Sequence, residues 1–376
     1  MAKKIQPKPK HRLIYEHIHR GIIGGEYAVG HRVPTEAELS GRFNASRLTV
    51  ARAMRDLEQQ GYLDRRRGAG SFVRQRQVGA GSLFGLIGVS TDRGITATIC
   101  SAITRGAQQN GLGFIWGNVL RDDVDIAIKQ ARQVCKQYIA NRVAGVFFIP
   151  LELPAPRIPV NREIAEDLRN AGIPVVLLDR DLDEYPKRSD FDLVGINNRR
   201  GGAVLTEHLL DLGYRRIHFV GRDWTVATVS ARIEGYCDAL KQHGLQPDPA
   251  WIHRGDYTQL SFARELLEKS DAEAFVCVND YVAATLIQQL AALGVRVPAD
   301  VAVVGFDDVE YATLVLVPLT TLRQPCEELG DAAVDLMLER RENPALPPRE
   351  VQLGCQLIVR ESCGAKLRHR VEARVF

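Results

Sequence analysis

The sequence predicts two architectures in one chain. A small, basic α+β unit stands at the N-terminus, and a larger α/β unit with parallel sheets in two lobes follows a short linker. Three observations lead there. Residues 34–73 set two capped helices before a glycine-tipped hairpin, and from Leu83 onward continuous apolar strands alternate with amphipathic helices. Charge also separates: residues 1–78 carry 16 Lys and Arg against 7 Asp and Glu, and the rest carries 33 against 39. A basic end on a mildly acidic body is the electrostatic footprint of a nucleic-acid module on a carrier.

Residues 1–10, with four lysines and two prolines, read as a disordered tail. The pattern predicts a helix over His11–Gly24, with Ile14, Ile18 and Ile22 on one stripe. Thr35 with Glu38 three residues on is a capping box, opening a helix that carries Ala37, Leu39 and Phe43. Asn44 and Ala45 make a turn, and Ser46 is placed to cap a second helix with Val50, Met54 and Leu57 inward. Gly61 is the expected stop. At about 100° per residue, Leu48, Arg52 and Arg55 lie opposite Val50, with Arg47, Thr49 and Ala51 around the first turns. Arg and Thr near a helix N-terminus suit a major groove, where Arg reaches guanine edges or phosphates. A hairpin follows from Leu63–Arg66 and Ser71–Arg74, turning through Arg67, Gly68, Ala69 and Gly70. Arg65, Arg66, Arg67, Arg74 and Arg76 surround this tip, and its glycines permit close approach to a nucleic acid.

Residues 75–82 (QRQVGAGS) are short, polar and Gly-rich, a linker. Beyond them, strands at LFGLIGV, GFIWGN, VAGVFFIP, PVVLLD, DLVGI, RIHFVG, AFVCV and VAVVGF are separated by predicted helices. These helices span 97–111, 124–140, 161–171, 199–212, 230–243, 259–269 and 281–293. Continuous apolar strands mean parallel sheets covered on both faces. The strands fall into two sets, before and after about Tyr185, which predicts two doubly wound lobes. Ligands bind beyond the carboxyl ends of such strands. That rule selects Thr91 and Asp92, Asp179 and Arg180, Asn279 and Asp280, and Asp307 and Asp308. Carboxylates, amides and an arginine converging between lobes suit a polyhydroxylated ligand, because every hydroxyl both donates and accepts.

Two resemblances extend this reading. Val33-Pro34-Thr35-Glu36, Ser46-Arg47-Leu48-Thr49-Val50, Leu57 through Gly61, and Gly68-Ala69-Gly70-Ser71-Phe72-Val73 resemble the GntR-type winged helix-turn-helix over residues 11–74. The resemblance implies DNA contacts at Arg47, Leu48, Thr49 and the wing at Gly70; Arg52, Arg67 and Gly68 join them as candidates. Ala37 and Ala51 depart from the family pattern, which commonly has basic residues there. The second covers about 83–364. VVLLDRD, SARIEGYCDAL, AFVCVNDYVAATLIQQLAALGVRVPADVAVVGFDD, PLTTLRQPCEELG and LIVRESCG resemble the LacI/GalR core, which is related to periplasmic sugar-binding proteins. It implies effector contacts at Arg232, Asn279 and Asp307, with Asp179, Gln324 and Asp92 as further members. Tyr257 stands where that family stacks a ring on a sugar face, and it reads equally as a partly buried core tyrosine. The family also implies three crossings between lobes, near 185–190, 318–325 and 345–355, and dimerisation through the core. Residues 365–376 form a C-terminal tail. The combination of the two modules resembles arabinose-type repressors.

Several chemistries are missing from the sequence. It holds no G-x-x-x-x-G-K-[ST] loop and no G-x-S-x-G turn. Asp179-x-Asp181-x-Asp183 imitates a calcium loop, but Glu184 replaces the required glycine and Asp190 stands at position twelve. Seven cysteines without a C-x-x-C pair suit thiols in a reducing cytosol rather than zinc or disulfides. No secretory signal and no run of about 20 apolar residues is present. The expectation is a cytoplasmic, non-enzymatic transcription regulator without cofactor or metal, most simply a repressor. It would bind palindromic double-stranded operator DNA as a homodimer and be released by a small sugar, without contact to a membrane. A purine or other corepressor is the alternative, and an exported solute-binding receptor a third.

Overall fold

The computed structural model describes residues 10–23, 27, 30–59, 62–66, 70–73, 81–89, 94–119, 123–154, 157–222 and 226–365. Gly61, Arg67, Gly68, Arg74, Arg76, Thr91 and Asp92 lie outside the described residues, as do most of the linker and both tails. The chain divides into two compact units, Met1–Gly79 and Ala80–Phe376.

The first unit holds α1 (Lys10–Ile23), α2 (Glu36–Phe43), α3 (Arg47–Gln59), β1 (Leu63–Arg66) and β2 (Gly70–Val73). The capping box forms: Thr35 Oγ1 accepts from the Glu38 amide at 3.2 Å, and Glu38 Oε2 accepts from the Thr35 amide at 2.7 Å. Asn44 ends α2 in the left-handed region, at φ 45°. Ser46 Oγ then accepts from the Thr49 amide at 3.2 Å and opens α3. The inward stripe of α3, Val50, Met54 and Leu57, packs with Ile14, Ile18 and Leu39 in one buried cluster. β1 and β2 are antiparallel with Leu63 opposite Val73, and a bridge from Arg32 to Phe72 extends the ribbon.

The second unit builds two six-stranded sheets. The first lobe begins with β3 (Leu83–Val89), α4 (Ile95–Gln109), β4 (Gly113–Val119), α5 (Val124–Ala140), β5 (Gly145–Phe148), α6 (Pro159–Asn170), β6 (Val175–Leu178) and β7 (Asp192–Ile196). The second comprises α7 (Asn198–Asp211), β8 (Ile217–Gly221), α8 (Ala227–Gln242), β9 (Ile252–Arg254), α9 (Leu260–Lys269), β10 (Ala274–Cys277), α10 (Asp280–Ala292), β11 (Ala302–Asp307), α11 (Tyr311–Leu314) and β12 (Thr320–Arg323). The chain then returns to the first lobe as α12 (Cys326–Glu342) and β13 (Glu350–Leu353), and ends in the second as β14 (Gln356–Ile358). Strand order is β4-β3-β5-β6-β7-β13 in one sheet and β9-β8-β10-β11-β12-β14 in the other. Every neighbouring pair is parallel except β12 with β14. Successive strand residues serve opposite faces, so Phe147 of β5 enters one core while Val146 and Phe148 enter another.

Two sequence expectations need correction. The split at about Tyr185 assigned DLVGI to the second set, but β7 pairs with β6 in the first sheet. The first crossing therefore lies between Ile196 and Asn198, not at 185–190. The other two fall between Arg323 and Cys326 and between Leu353 and Gln356. α12 was not expected as a helix. It opens without a side-chain cap after Pro325, so it lacks the usual start signal. Among the described residues no helix is long and apolar enough to cross a membrane.

Candidate nucleic-acid face and ligand cleft

On the first unit, α3 presents an open outer face. Arg47, Arg52 and Arg55 are exposed and hold no ion pair among the described residues, and Leu48 is 84% exposed. Thr49 is half-buried, and its hydroxyl lies 2.9 Å from Ser46 Oγ, so the cap orients it. At the wing, Gly70 has φ +107°, and a Cβ there would meet Arg32 Nε at 2.6 Å. Only glycine suits that position. Arg65, in contrast, is paired with Glu36 at 2.5 Å. The face therefore offers free guanidinium groups and a helix N-terminus, which bind phosphate and base edges.

In the second unit, a cavity of about 340 Å³ opens between the lobes at the carboxyl ends of the strands. Its walls include Asp179 and Arg180 after β6, Arg232 from α8, Asn279 at the start of α10, and Asp307 at the end of β11. Arg232 is the most constrained of these, at 7% exposed. Its Nε donates to Asn198 Oδ1 at 2.8 Å and its Nη1 to the Val278 carbonyl at 2.7 Å. The guanidinium lies 3.6 Å over the Phe306 ring, and its Nη2 is 4.0 Å from Asp307 Oδ1. Burial pulls its pKa down, against the attraction of Asp307. Its position follows from two glycines. A Cβ on Gly202 would lie 2.0 Å from the Arg232 carbonyl oxygen, and one on Gly235 would lie 1.8 Å from that of Arg199. Only glycines let α7 and α8 touch backbone to backbone and bring Asn198 to Arg232.

Asp307 adopts φ +117°, and Gln324 Nε2 donates to its Oδ1 at 2.7 Å. Burial raises the pKa of Asp307 and, behind it, of Asp280, whose proton affinity is further raised by the charge of Asp307. Asp280 is tied to Thr321 and to the Val309 amide, so it braces β11 and β12 from below. Asn279 Oδ1 caps α10 through the Val282 amide at 2.9 Å. Asp179, at φ +69°, accepts from Arg180 Nη2 at 2.8 Å, and Arg180 Nη1 reaches Glu152 at 3.4 Å. Asp308 is turned to Arg323 and Arg360.

Gln324 lines a neighbouring cavity of about 760 Å³ together with Asp307, and is not part of the cleft wall. Tyr257 is also absent from that wall. It is 6% exposed, its carbonyl accepts from Gln289, and its hydroxyl accepts from Arg222 Nη2 at 3.0 Å. The rings that do line the cleft are Tyr281 and Tyr311, 5.3 Å apart, with Tyr257 edge-on to Tyr281 at 6.1 Å. Glu152 and Arg222 line it too and were missed, although each follows an apolar strand closely, the same signal that selected Asp179. Among the described residues no group of three or more His, Cys, Asp or Glu could hold a metal ion.

Comparison with known proteins matches both units. Residues 10–73 match the bacterial regulatory proteins of the gntR family, and residues 206–363 match the periplasmic binding protein-like domain. The chain is similar to the arabinose metabolism transcriptional repressor of Geobacillus stearothermophilus, 29% identical over 367 residues, covering 94% of this chain and 97% of that protein. It is 30% identical over 239 residues to the transcriptional repressor PurR of Vibrio vulnificus, covering 62% of this chain and 68% of the relative. Among solved structures, the transcriptional regulator CelR–cellobiose complex shares its fold, with a TM-score of 0.66 at 24% identity, covering 88% of this chain and 100% of that one. With its capped helices, its wing and its two-lobed core, the chain belongs to the bacterial transcription regulators that join a GntR-type DNA-binding unit to a LacI/GalR-type, periplasmic-binding-protein-like domain.

Proposed function

We propose that this protein is a repressor that leaves its operator when a saccharide closes the two lobes. One observation carries the reading. The cleft draws its polar walls from both lobes, with Asp179 and Arg180 on one side and Arg232, Asn279 and Asp307 on the other. A ligand that touches both sides stabilises one lobe arrangement over another, and only such differential affinity, typically about 1–3 kcal/mol, can shift DNA binding. Carboxylates and guanidinium groups paired within the cleft match hydroxyls, which donate and accept at once. The relative in Geobacillus stearothermophilus that spans nearly the whole chain is named for arabinose metabolism.

On this proposal the protein works in the cytoplasm as a homodimer on a palindromic site, because two-fold pairing of two reading units repeats the half-site. Arg47, Leu48, Thr49 and Arg52 enter the major groove, and the wing follows the backbone. The test is fluorescence anisotropy with duplexes from the promoter neighbourhood, titrated with pentoses, hexoses and purines. The expected outcome is tight binding released by a sugar. Arg47→Ala should weaken binding and lower the salt dependence by about one phosphate contact while saccharide binding survives. A duplex bound equally with and without every sugar overturns the proposal. A purine corepressor is the second reading, favoured by Tyr281 and Tyr311, whose rings in the cleft offer stacking faces. Tightening by purines would select it.

A further inference from the structure

Among the described residues, three carboxylates and three guanidinium groups line the cleft, but they are unevenly paired. Arg180 sits between Asp179 and Glu152, and Arg232 faces Asp307. Arg222, immediately after β8, lines the same cavity but has no carboxylate partner among the described residues. Its guanidinium donates to the neutral Tyr257 hydroxyl at 3.0 Å and lies 5.7 Å from the centre of that ring. Tyr257 is itself fixed, buried and held through its carbonyl by Gln289 Nε2 at 2.9 Å. Tyr257, which read either as a stacking ring or as a core tyrosine, is buried and holds an arginine. Across the cavity, α4 opens at Gly94, which brings no capping side chain, and Gly94, Ile95 and Thr96 line the same space. A helix N-terminus of this length carries about half a positive charge. Among the described residues, a guanidinium held without a carboxylate partner and a helix start that Gly94 cannot cap with a side chain favour negative oxygen over hydroxyl.

We propose that the effector is an anionic saccharide, a sugar acid or a sugar phosphate, and that Arg222 receives its charged group while Tyr257 positions Arg222. The polyhydroxylated body lies toward Asp179, Asn279 and Arg232. This rests on the effector reading above, of which it names the ligand class. Carboxylate and phosphate offer the same anionic oxygens to a guanidinium fork.

The test is calorimetry on the full chain with matched pairs: glucose, gluconate and glucose 6-phosphate; galactose and galacturonate; ribose and ribose 5-phosphate. The expected result is that one charged member binds at least about tenfold tighter than its neutral parent, and that raising the salt concentration weakens only the charged one. Arg222→Gln should remove that preference, the charged member losing at least about tenfold more affinity than its neutral parent, in a variant whose denaturation midpoint reports that the fold is intact. Arg222→Lys should restore part of it. Whether the acid or the phosphate wins tells the two sources apart. A neutral parent that binds as well as its charged partners, or a preference that survives Arg222→Gln, overturns the inference and leaves the saccharide reading standing. If no saccharide binds and none alters duplex binding, both fall.

Discussion

At the scale of single residues, Arg232 lines the cleft, where it is proposed to meet the effector, and also ties neighbouring elements together. Its guanidinium is spent on Asn198, the Val278 carbonyl, the Phe306 ring and Asp307. Arg232→Gln should abolish release by the effector and, because it strands Asn198 and Asp307 in a buried setting, should also cost about 2–4 kcal/mol of stability. Chemical denaturation of the variant, read beside effector titration, checks both; an unchanged midpoint would mean that the buried contacts carry little. SARIEGY marks Arg232 as an expected contact through the family resemblance, but nothing local in it reveals that the guanidinium is also held by Asn198 and the Val278 carbonyl. Tyr257 was harder still. A tyrosine after a loop reads the same whether its ring faces a ligand or props an arginine, because the difference lies in Gln289 and Arg222, both more than thirty residues away in sequence.

Elements came through the sequence in proportion to how local their cause is. The capping box at Thr35, the Ser46 cap and the alternating apolar strands are signals carried within four to seven residues, and each forms. β9, β13 and β14 have only three or four residues each and owe their existence to a neighbouring strand. No local pattern could announce them. α12 is held by α4 and by a partly buried pair, Arg340 Nε to Asp192 Oδ2 at 2.7 Å, that joins it to β7. The glycines between α7 and α8 give the sharpest prediction at this scale. Gly235→Ala places a methyl group 1.8 Å from a backbone oxygen, which no side-chain rotation can relieve. The helices must separate, at a cost of about 1–3 kcal/mol, and Arg232 is carried away from Asn198. Expected results are a lower midpoint and weakened effector affinity together; Ala at Gly244, where a Cβ meets nothing within 4 Å but φ is +75°, should lower the midpoint through backbone strain and leave affinity unchanged.

For the whole molecule, protonation sets opposing trends. His218 Nδ1 and His253 Nε2 lie 2.9 Å apart beneath Trp251, and burial, with the nearby His218 charge, lowers the pKa of His253 to about 4. The unfolded chain then takes up a proton near pH 6.5 that the native state refuses until about 4. This stability is complete above 6.5 and is lost as the pH falls toward 4, on the order of 2 kcal/mol after allowing for partial solvent access. Asp280 and Asp307, with raised pKa values, act in the opposite sense, gaining stability as the pH falls. His208 and His218, also lowered by burial, add to the same trend as His253, so the difference between the native chain and His253→Gln isolates the part that depends on His253. The variant should lose less stability between pH 6.5 and 4 in denaturant titrations, and parallel profiles would refute the assignment. The threefold passage of the chain between lobes has another outcome, felt during synthesis. The open edge of β7 waits for residues 350–353 to leave the ribosome, and β12 waits for residues 356–358, so neither lobe can be completed before those segments emerge. The reading head emerges hundreds of residues earlier, before its sensor exists.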